Sequence, residues 1–87
     1  HIKPGFATAT QIHALREEIW VVIKGIGRSE VDNLTEQVKV GDTVRVPKNT
    51  AHRLLNESND DLNIIEIQFG DVLSDDDIIR LEPAVRL

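Results

Sequence analysis

The chain has 87 residues, 40% of them hydrophobic, and a formal net charge of -5 at pH 7. Its length predicts one domain, residues 1–87, and its 10 Lys and Arg residues are too thinly spread for a nucleic-acid partner. No apolar run approaches the roughly 20 residues of a membrane helix. The amino end lacks the pattern of a signal peptide. We therefore expect a soluble, cytoplasmic protein without a membrane partner. The absence of cysteine limits any metal site to nitrogen and oxygen ligands.

Short runs rich in Val and Ile are separated by Gly, Asn, Asp or Pro about every ten residues, which is the spacing of an all-β sandwich or barrel. Turn chemistry supports the breaks at "KGIG" (24–27), "VGD" (40–42), "PKN" (47–49) and "NESNDD" (56–61). The predicted strands cover residues 7–13, 18–24, 29–32, 37–40, 43–46, 52–56 and 62–69. One helical turn is predicted in "SDDDIIRLE" (74–82), because Ser74 can cap it and the following acids suit its positive end.

Polar side chains are predicted to converge near the start of the chain. Side chains on a strand alternate between faces, so Gln11 and His13 point the same way. Glu18 can close on His13 across residues 14–17, and His52 begins a later strand. Imidazole, carboxylate and amide oxygen suit a divalent ion such as zinc, manganese, iron, cobalt or nickel, and the ligand set alone does not choose among these metals. Taken singly, each residue is more simply interpreted as a surface or satisfied polar group.

The spacing around these residues follows a longer pattern. It runs through Gly5, Gln11, His13, Glu18 and Gly25, and then through Gly41, Pro47, His52 and Asn56. This pattern resembles the two boxes of the cupin superfamily, with Gln11 replacing a His and Asn49 replacing a Gly. Three stretches, "QIHALREEIWVVIKG" (11–25), "VPKNTAHRLLN" (46–56) and "IIEIQFGDVLSDDDIIRLE" (64–82), are similar more narrowly to the cupin-type mannose-6-phosphate isomerase domain that is fused to mannose-1-phosphate guanylyltransferase.

The resemblance implies a double-stranded β-helix, the jelly-roll barrel of cupins, with one divalent metal ion held by Gln11, His13, Glu18 and His52. It also implies that the chain interconverts mannose 6-phosphate and fructose 6-phosphate. The alternative is a small metal-binding cupin that binds or senses another small molecule, because fold similarity alone does not fix activity.

The chain also departs from this family. Ala14, Leu15 and Ile19 stand where the family commonly has histidines, and "AVRL" (84–87) replaces its usual ending. Asn49, in contrast, is a tolerable replacement for Gly because Asn accepts positive φ better than most residues. These departures bear on catalysis more than on metal binding.

An aldose–ketose isomerase needs a Lewis acid, a base and cations for the phosphate. The candidate catalytic residues are Glu66, as the base, and Arg16, which with Lys3 and Arg80 is also a candidate for the phosphate. Strand alternation opposes this role for Glu66, because the other face of its strand looks like core and would turn Glu66 outward. That apolar face consists of Ile65, Ile67 and Phe69.

Two other charged features are assigned no site. Arg53 follows His52 directly, so its side chain is expected to point away from that histidine. The acidic run at 75–77 lacks the spacing of a calcium-binding loop. It is better explained as the start of the predicted helical turn.

A chain this short is expected to leave part of its barrel wall uncovered. Ile19, Val21 and Ile23 form the face of their strand opposite Glu18, and together with Ile2 they would otherwise meet water. We therefore expect a homodimer, formed by pairing of sheets or by exchange of terminal segments. The alternative is a monomer in which residues 72–87 fold back over the same edge.

Overall fold

The computed structural model describes residues 1–70 and 78–87, with only the backbone described for 78–80. The described residues form strands and turns and no helix, which confirms the all-β prediction. No described segment could therefore cross a membrane as an apolar helix. The strands are β1 (Phe6–Ala7), β2 (Thr10–His13), β3 (Arg16–Lys24), β4 (Ile26–Val31), β5 (Leu34–Lys39), β6 (Thr43–Val46), β7 (His52–Asn56), β8 (Asn63–Gly70), β9 (Ile78–Glu82) and β10 (Val85–Arg86).

The strands form two antiparallel sheets. In the larger sheet, the β4–β5 hairpin pairs with β7, which pairs on its other side with β1 and β2. β1 and β2 pair in turn with β10 and β9. The smaller sheet has the order β6-β3-β8, and β3 pairs with β8 along most of its length. β3 therefore lies in the middle of the smaller sheet and β7 in the interior of the larger one.

One hydrophobic cluster joins the two sheets. The smaller sheet, the larger sheet and the connecting segments all contribute to it, through Ile2, Trp20, Val22, Val38, Val44, Val46, Leu54 and Leu62. Burying one such large side chain is worth roughly 1.5–3 kcal/mol, so the cluster supplies much of the stability of the fold. Ile2, Trp20 and Leu54 also line the cavity described below. The core is therefore continuous with the wall of the candidate site.

Several predicted strand boundaries differ from the structure by one to three residues, and two of the differences concern turns. The sequence predicts a strand through Asp32, but Asp32 and Asn33 have φ of 50° and 65° and separate β4 from β5. Two consecutive positive φ values are what a type I′ hairpin requires, and Asp and Asn tolerate them. The predicted strand 7–13 is interrupted at residues 8–9, between β1 and β2. Asn49, at the position of a family Gly, does adopt positive φ, at 57°.

The predicted helical turn is wrong over residues 78–82, which form β9. This strand pairs with β2 from Thr10 to His13. The pairing satisfies backbone groups that β2 would otherwise expose along that edge. The prediction of a helical turn rested on local capping residues. The hydrogen bonds with β2, which lies far away in the sequence, outweigh this local preference for helix. Residues 74–77, where the turn was predicted to begin, lie outside the described residues.

The orientation of β8 is the opposite of the predicted one. The sequence predicts Ile65, Ile67 and Phe69 to be core residues, but their exposed fractions are 50%, 49% and 36%. Glu66 and Gln68 alternate with them and line the cavity between the sheets. The alternation of side chains along β8 was predicted correctly. The prediction of which side chains face inward was wrong, because the inner side of β8 borders a polar cavity.

Candidate metal centre

Three of the four predicted metal ligands lie together. β2 carries His13, β3 carries Glu18 and β7 carries His52, and one ligand atom from each lies within 4.8 Å of the other two. His13 Nε2 is 3.2 Å from Glu18 Oε2, and the centroids of the two imidazole rings are 4.9 Å apart. All three side chains are buried. We name this group the His-Glu-His cluster.

Gln11 reaches the same region through strand pairing. It lies directly opposite His52 in the register of β2 and β7. It also shares the cavity lining with the His-Glu-His cluster. All four predicted ligands therefore face one cavity.

The backbone fixes the orientation of the His52 ring. Its Nδ1 lies 2.9 Å from the carbonyl oxygen of Thr50. A carbonyl oxygen can only accept, so Nδ1 donates the hydrogen, and in the neutral ring Nε2 then carries the lone pair. This is the tautomer in which Nε2 can bind a metal ion. Trp20 packs edge-on against the same ring at 5.6 Å between centroids, which further restricts its rotation.

The two carboxylate oxygens of Glu18 have different neighbours. Trp20 Nε1 donates to Oε1 over 3.0 Å, whereas Oε2 lies 3.2 Å from His13 Nε2 and 3.5 Å from Arg16 Nε. The indole N–H can only donate, so it holds Oε1 and leaves Oε2 directed at the cluster. Trp20 lies two residues from Glu18 on the same face of β3. That spacing was a signal for this contact, and sequence reasoning did not use it.

Arg16 is buried beside the cluster. Its guanidinium lies 3.5 Å from both Glu18 Oε2 and His13 Nε2, and it lines the cavity. A positive charge at this distance offsets part of the cost of burying the Glu18 carboxylate. The other phosphate candidates are placed differently. Lys3 is exposed and is not among the described residues that line the cavity, and the Arg80 side chain lies outside the described part.

The cluster opens into a cavity of ≈ 390 Å³ between the sheets. Part of its wall is apolar and the rest is polar, and its volume is within the range of small-molecule sites. The polar part of the lining includes Gln11, His13, Arg16, Glu18, His52, Glu66 and Gln68. The cavity therefore offers a ligand charged, hydrogen-bonding and hydrophobic groups.

Glu66 faces this cavity, contrary to the orientation that the core pattern predicted. Burial against the wall raises the pKa of Glu66, and the negative charge of Glu18 raises it further, while a hydrogen bond with Gln68 acts in the opposite direction. Part of the side chain remains exposed to solvent, so a ligand in the cavity can reach it. A carboxyl group with a raised pKa is suited both to accept and to return a proton near neutral pH.

Arg53 points away from the cluster, as predicted. It binds Glu30 through Nε at 2.5 Å, and this hydrogen bond is the main reason why the pKa of Glu30 is lowered. Both residues line a second, polar cavity of ≈ 330 Å³, which His52 also borders. The ion pair there is largely self-satisfied, so this second cavity is the weaker candidate for a site.

The departures from the resembled family lie outside the cavity. Ala14 and Leu15 belong to the connection between β2 and β3, and Leu15 is exposed. Ile19 alternates with Glu18 and Trp20 and so lies on the opposite face of β3. None of the three is among the described residues that line the cavity. These three side chains are therefore not part of the described lining of the cavity that holds the cluster.

Known sequences place the chain among longer bacterial proteins. The family described as mannose-6-phosphate isomerase C-terminal matches residues 1–83. The chain is 41% identical over 81 residues to the mannose-1-phosphate guanylyltransferase RfbM of Salmonella typhimurium, an alignment that covers 93% of this chain and 17% of that protein. It is 37% identical to the alginate biosynthesis protein AlgA of Pseudomonas aeruginosa, with the same coverage of both proteins. The chain thus spans about a sixth of the length of these relatives.

Solved structures agree on the fold. A putative sugar phosphate isomerase of Acidithiobacillus ferrooxidans superposes with a TM-score of 0.71 at 29% identity, over 77% of this chain and 44% of that chain. A predicted oxalate decarboxylase of Thermotoga maritima superposes with a TM-score of 0.76 at 22% identity, over 79% of this chain and 60% of that chain. A Klebsiella pneumoniae protein with a double-stranded β-helix domain superposes with a TM-score of 0.73 at 16% identity, over 97% of this chain and 66% of that chain. The predicted cupin fold is therefore confirmed, and with 83 of its 87 residues matched, the chain belongs to the mannose-6-phosphate isomerase C-terminal family.

Proposed function

We propose that the chain is a metal-dependent sugar-phosphate isomerase domain that interconverts mannose 6-phosphate and fructose 6-phosphate. The observation that carries the proposal is that the His-Glu-His cluster and Glu66 line one cavity. The family description supports a sugar-phosphate substrate, as does the structural similarity to the putative sugar phosphate isomerase of Acidithiobacillus ferrooxidans. A cytoplasmic location for the reaction remains a prediction from the sequence.

In this proposal one divalent ion is held by Gln11, His13, Glu18 and His52, with zinc as the first choice. The donors fit such an ion, because imidazole nitrogen, carboxylate and amide oxygen are all ligands that borderline divalent metals accept. The tautomer of His52 leaves Nε2 available for it. When bound, the ion would supply a Lewis acid for the oxygen on which negative charge develops. The protein's own contribution is to hold the donors in place before the ion arrives.

The remaining chemistry is proton transfer. Conversion of the aldose to the ketose moves a proton from C2 to C1 through an enediol, and moves the O2 hydroxyl proton to O1. Glu66 would take the proton from C2 and return it to C1, and its raised pKa suits both steps. Arg16 would place a positive charge next to the anionic groups of the substrate.

A coupled isomerase assay on the 87-residue chain tests the proposal, with each candidate metal added to chelator-treated protein. We expect turnover well above a blank that contains metal alone, and a loss of at least about 100-fold in kcat for Glu66→Gln. Glu36→Gln, which changes an exposed carboxylate on β5, is the matched control and should keep full activity. Metal binding without turnover would refute the isomerase and favour the alternative, a cupin that binds or senses another small molecule.

A further inference from the structure

The connection between β6 and β7 consists of residues 47–51 and contacts both histidines of the His-Glu-His cluster. The backbone amide of Asn49 donates to the carbonyl oxygen of His13 over 2.8 Å. One residue later, the carbonyl oxygen of Thr50 accepts from Nδ1 of the His52 ring over 2.9 Å. We name this connection the histidine loop. It holds the backbone that carries one imidazole and the ring of the other.

The histidine loop supplements a short pairing between the strands that carry the two histidines. β2 and β7 pair through Gln11 and His52. His13 is the last residue of β2, and on its other edge this strand pairs with β9. The bond from Asn49 links that end of β2 to the segment that leads into β7. The separation of the two imidazoles, 4.9 Å between centroids, therefore depends on the conformation of the loop.

Asn49 gives the loop its conformation. Its φ is 57°, in the left-handed region, which Asn and Gly tolerate and which is strongly unfavourable for β-branched residues. The hydroxyl of Thr50 donates to the carbonyl oxygen of Lys48 over 3.1 Å and closes the turn around Asn49. The side chain of Asn49 is exposed, so the residue acts on the cluster through its backbone.

Both ends of the histidine loop are fixed. Val46, the residue before it, lies opposite Glu18 in the register of β3 and β6. At the other end, the amide of Asp32 donates to the carbonyl oxygen of Ala51 over 3.0 Å. A change of backbone angle at the centre of the loop is therefore not absorbed at its ends. It must alter the hydrogen bonds to the two histidines.

We propose that Asn49 is a positioning residue of the metal centre, whose left-handed backbone fixes the His52 ring and the end of β2 before an ion binds. The inference rests on the proposed metal centre and not on the isomerase reaction. Asn49 contributes no ligand atom, so its effect passes entirely through the two hydrogen bonds of the loop.

Metal affinity, measured by competition with a chelator, is the first test. Asn49→Val should weaken binding roughly 10–100-fold, because Val leaves the left-handed region and both hydrogen bonds are lost. Asn49→Gly keeps the amide and tolerates the same φ, so it should bind metal as the parent does. Gly41→Val is the matched control, because φ is 91° there and an added Cβ would meet nothing within 4 Å. It strains the backbone at a position outside the described cavity lining and should leave affinity nearly unchanged.

The tautomer of His52 in metal-free protein is a second reading, and a general loss of stability would not change it. Proton–nitrogen correlation NMR, at a pH where the ring is neutral, should show the parent with its hydrogen on Nδ1. Asn49→Val should move a substantial part of the population to the Nε2 tautomer. Asn49→Gly and Gly41→Val should keep the tautomer of the parent. If Asn49→Val does not fold, Asn49→Ala takes its place, because Ala is less strained at this φ.

Two results would overturn the proposal. One is an unchanged tautomer and unchanged affinity in Asn49→Val. The other is an equal loss of affinity in Asn49→Gly or Gly41→Val, because the loss would then not come from the left-handed backbone at Asn49. If the parent binds no metal ion, the proposed function fails, and the comparison of tautomers still decides whether Asn49 positions His52.

Discussion

Replacing His52 by Ala should lower metal affinity by more than about 100-fold, which corresponds to about 2.8 kcal/mol of binding free energy. Loss of a partner that only orients a metal ligand typically weakens binding roughly 10–100-fold, and His52 is proposed as a ligand itself. Its Nε2 carries the free lone pair of a ring that Thr50 holds in place. The two nearest side chains, Trp20 and His13, cannot move into its position without leaving their own packing.

The fold should survive this substitution. The His52 ring is buried but stands in the wall of a cavity, so its removal enlarges space that solvent already reaches instead of creating a closed void. We expect a cost of about 1–2 kcal/mol in the free energy of unfolding, as for an ordinary destabilising substitution. The metal-free variant should therefore keep the circular dichroism spectrum of the parent.

Metal affinity can be measured by competition with a chelator, followed by metal analysis after dialysis. Trp20 is the only tryptophan and packs against His52, so its fluorescence offers a second reading of binding in both proteins. Glu36→Ala is the matched control, because it removes an exposed carboxylate on β5 that is not among the described residues lining the cavity. Equal metal retention by His52→Ala and the parent would remove His52 from the site. Collapse of the fold would instead indicate a structural ion.

Three further outcomes are expected. Burial raises the pKa of Glu66 above its ordinary value near 4.5, so the folded chain binds this proton more tightly than the unfolded chain. The free energy of unfolding of the metal-free chain should therefore fall as the pH rises from the unfolded pKa through the folded pKa of Glu66. Glu66→Gln should therefore raise the free energy of unfolding at pH 7, by less than about 1 kcal/mol because the group is partly exposed and screened, and the gain should vanish at about pH 4 in urea titrations. Trp20→Phe removes the hydrogen bond to the clustered carboxylate and should lower metal affinity about 10–100-fold by chelator competition, whereas Ile23→Ala, a change at an exposed position of the same strand, should leave affinity nearly unchanged. Gly25→Ala should cost about 2–4 kcal/mol in urea unfolding, because φ is 90° and a Cβ would strike the facing backbone, while Gly5→Ala, at φ 80° in open space, should cost about 1 kcal/mol.

The candidate metal cluster was predictable mainly because the spacing of its residues resembles that of a known family. Gln11 and His13 share a face by strand alternation, and the spacing of both sequence boxes brought Glu18 and His52 into the same group. The structure gathers all three ionisable members within 4.8 Å. Strand alternation alone relates only Gln11 and His13, and His52 joined the group through the family resemblance.

The orientation of β8 could not be predicted in the same way. Alternation fixes which residues share a face, but it does not say which face is inside. Hydrophobicity favoured Ile65 and Ile67 as the inner residues, and the polar cavity reversed that choice by placing Glu66 and Gln68 inside. The strand at 78–82 was missed for a related reason, since its stability comes from pairing with β2, which lies more than sixty residues earlier in the chain.

The ligands of the His-Glu-His cluster come from opposite sides of the β-sandwich: His13 and His52 belong to the larger sheet, and Glu18 belongs to the smaller one. The gap that an ion would have to bridge is thus set by how far apart the sheets stand, and that spacing is set by core side chains such as Leu54 and Val22. For the proposed ion, the volume of the hydrophobic core would therefore determine which ionic radius fits between the sheets. Substitutions that thicken or thin this core, without touching any ligand, should shift the preference of the site between smaller and larger divalent ions.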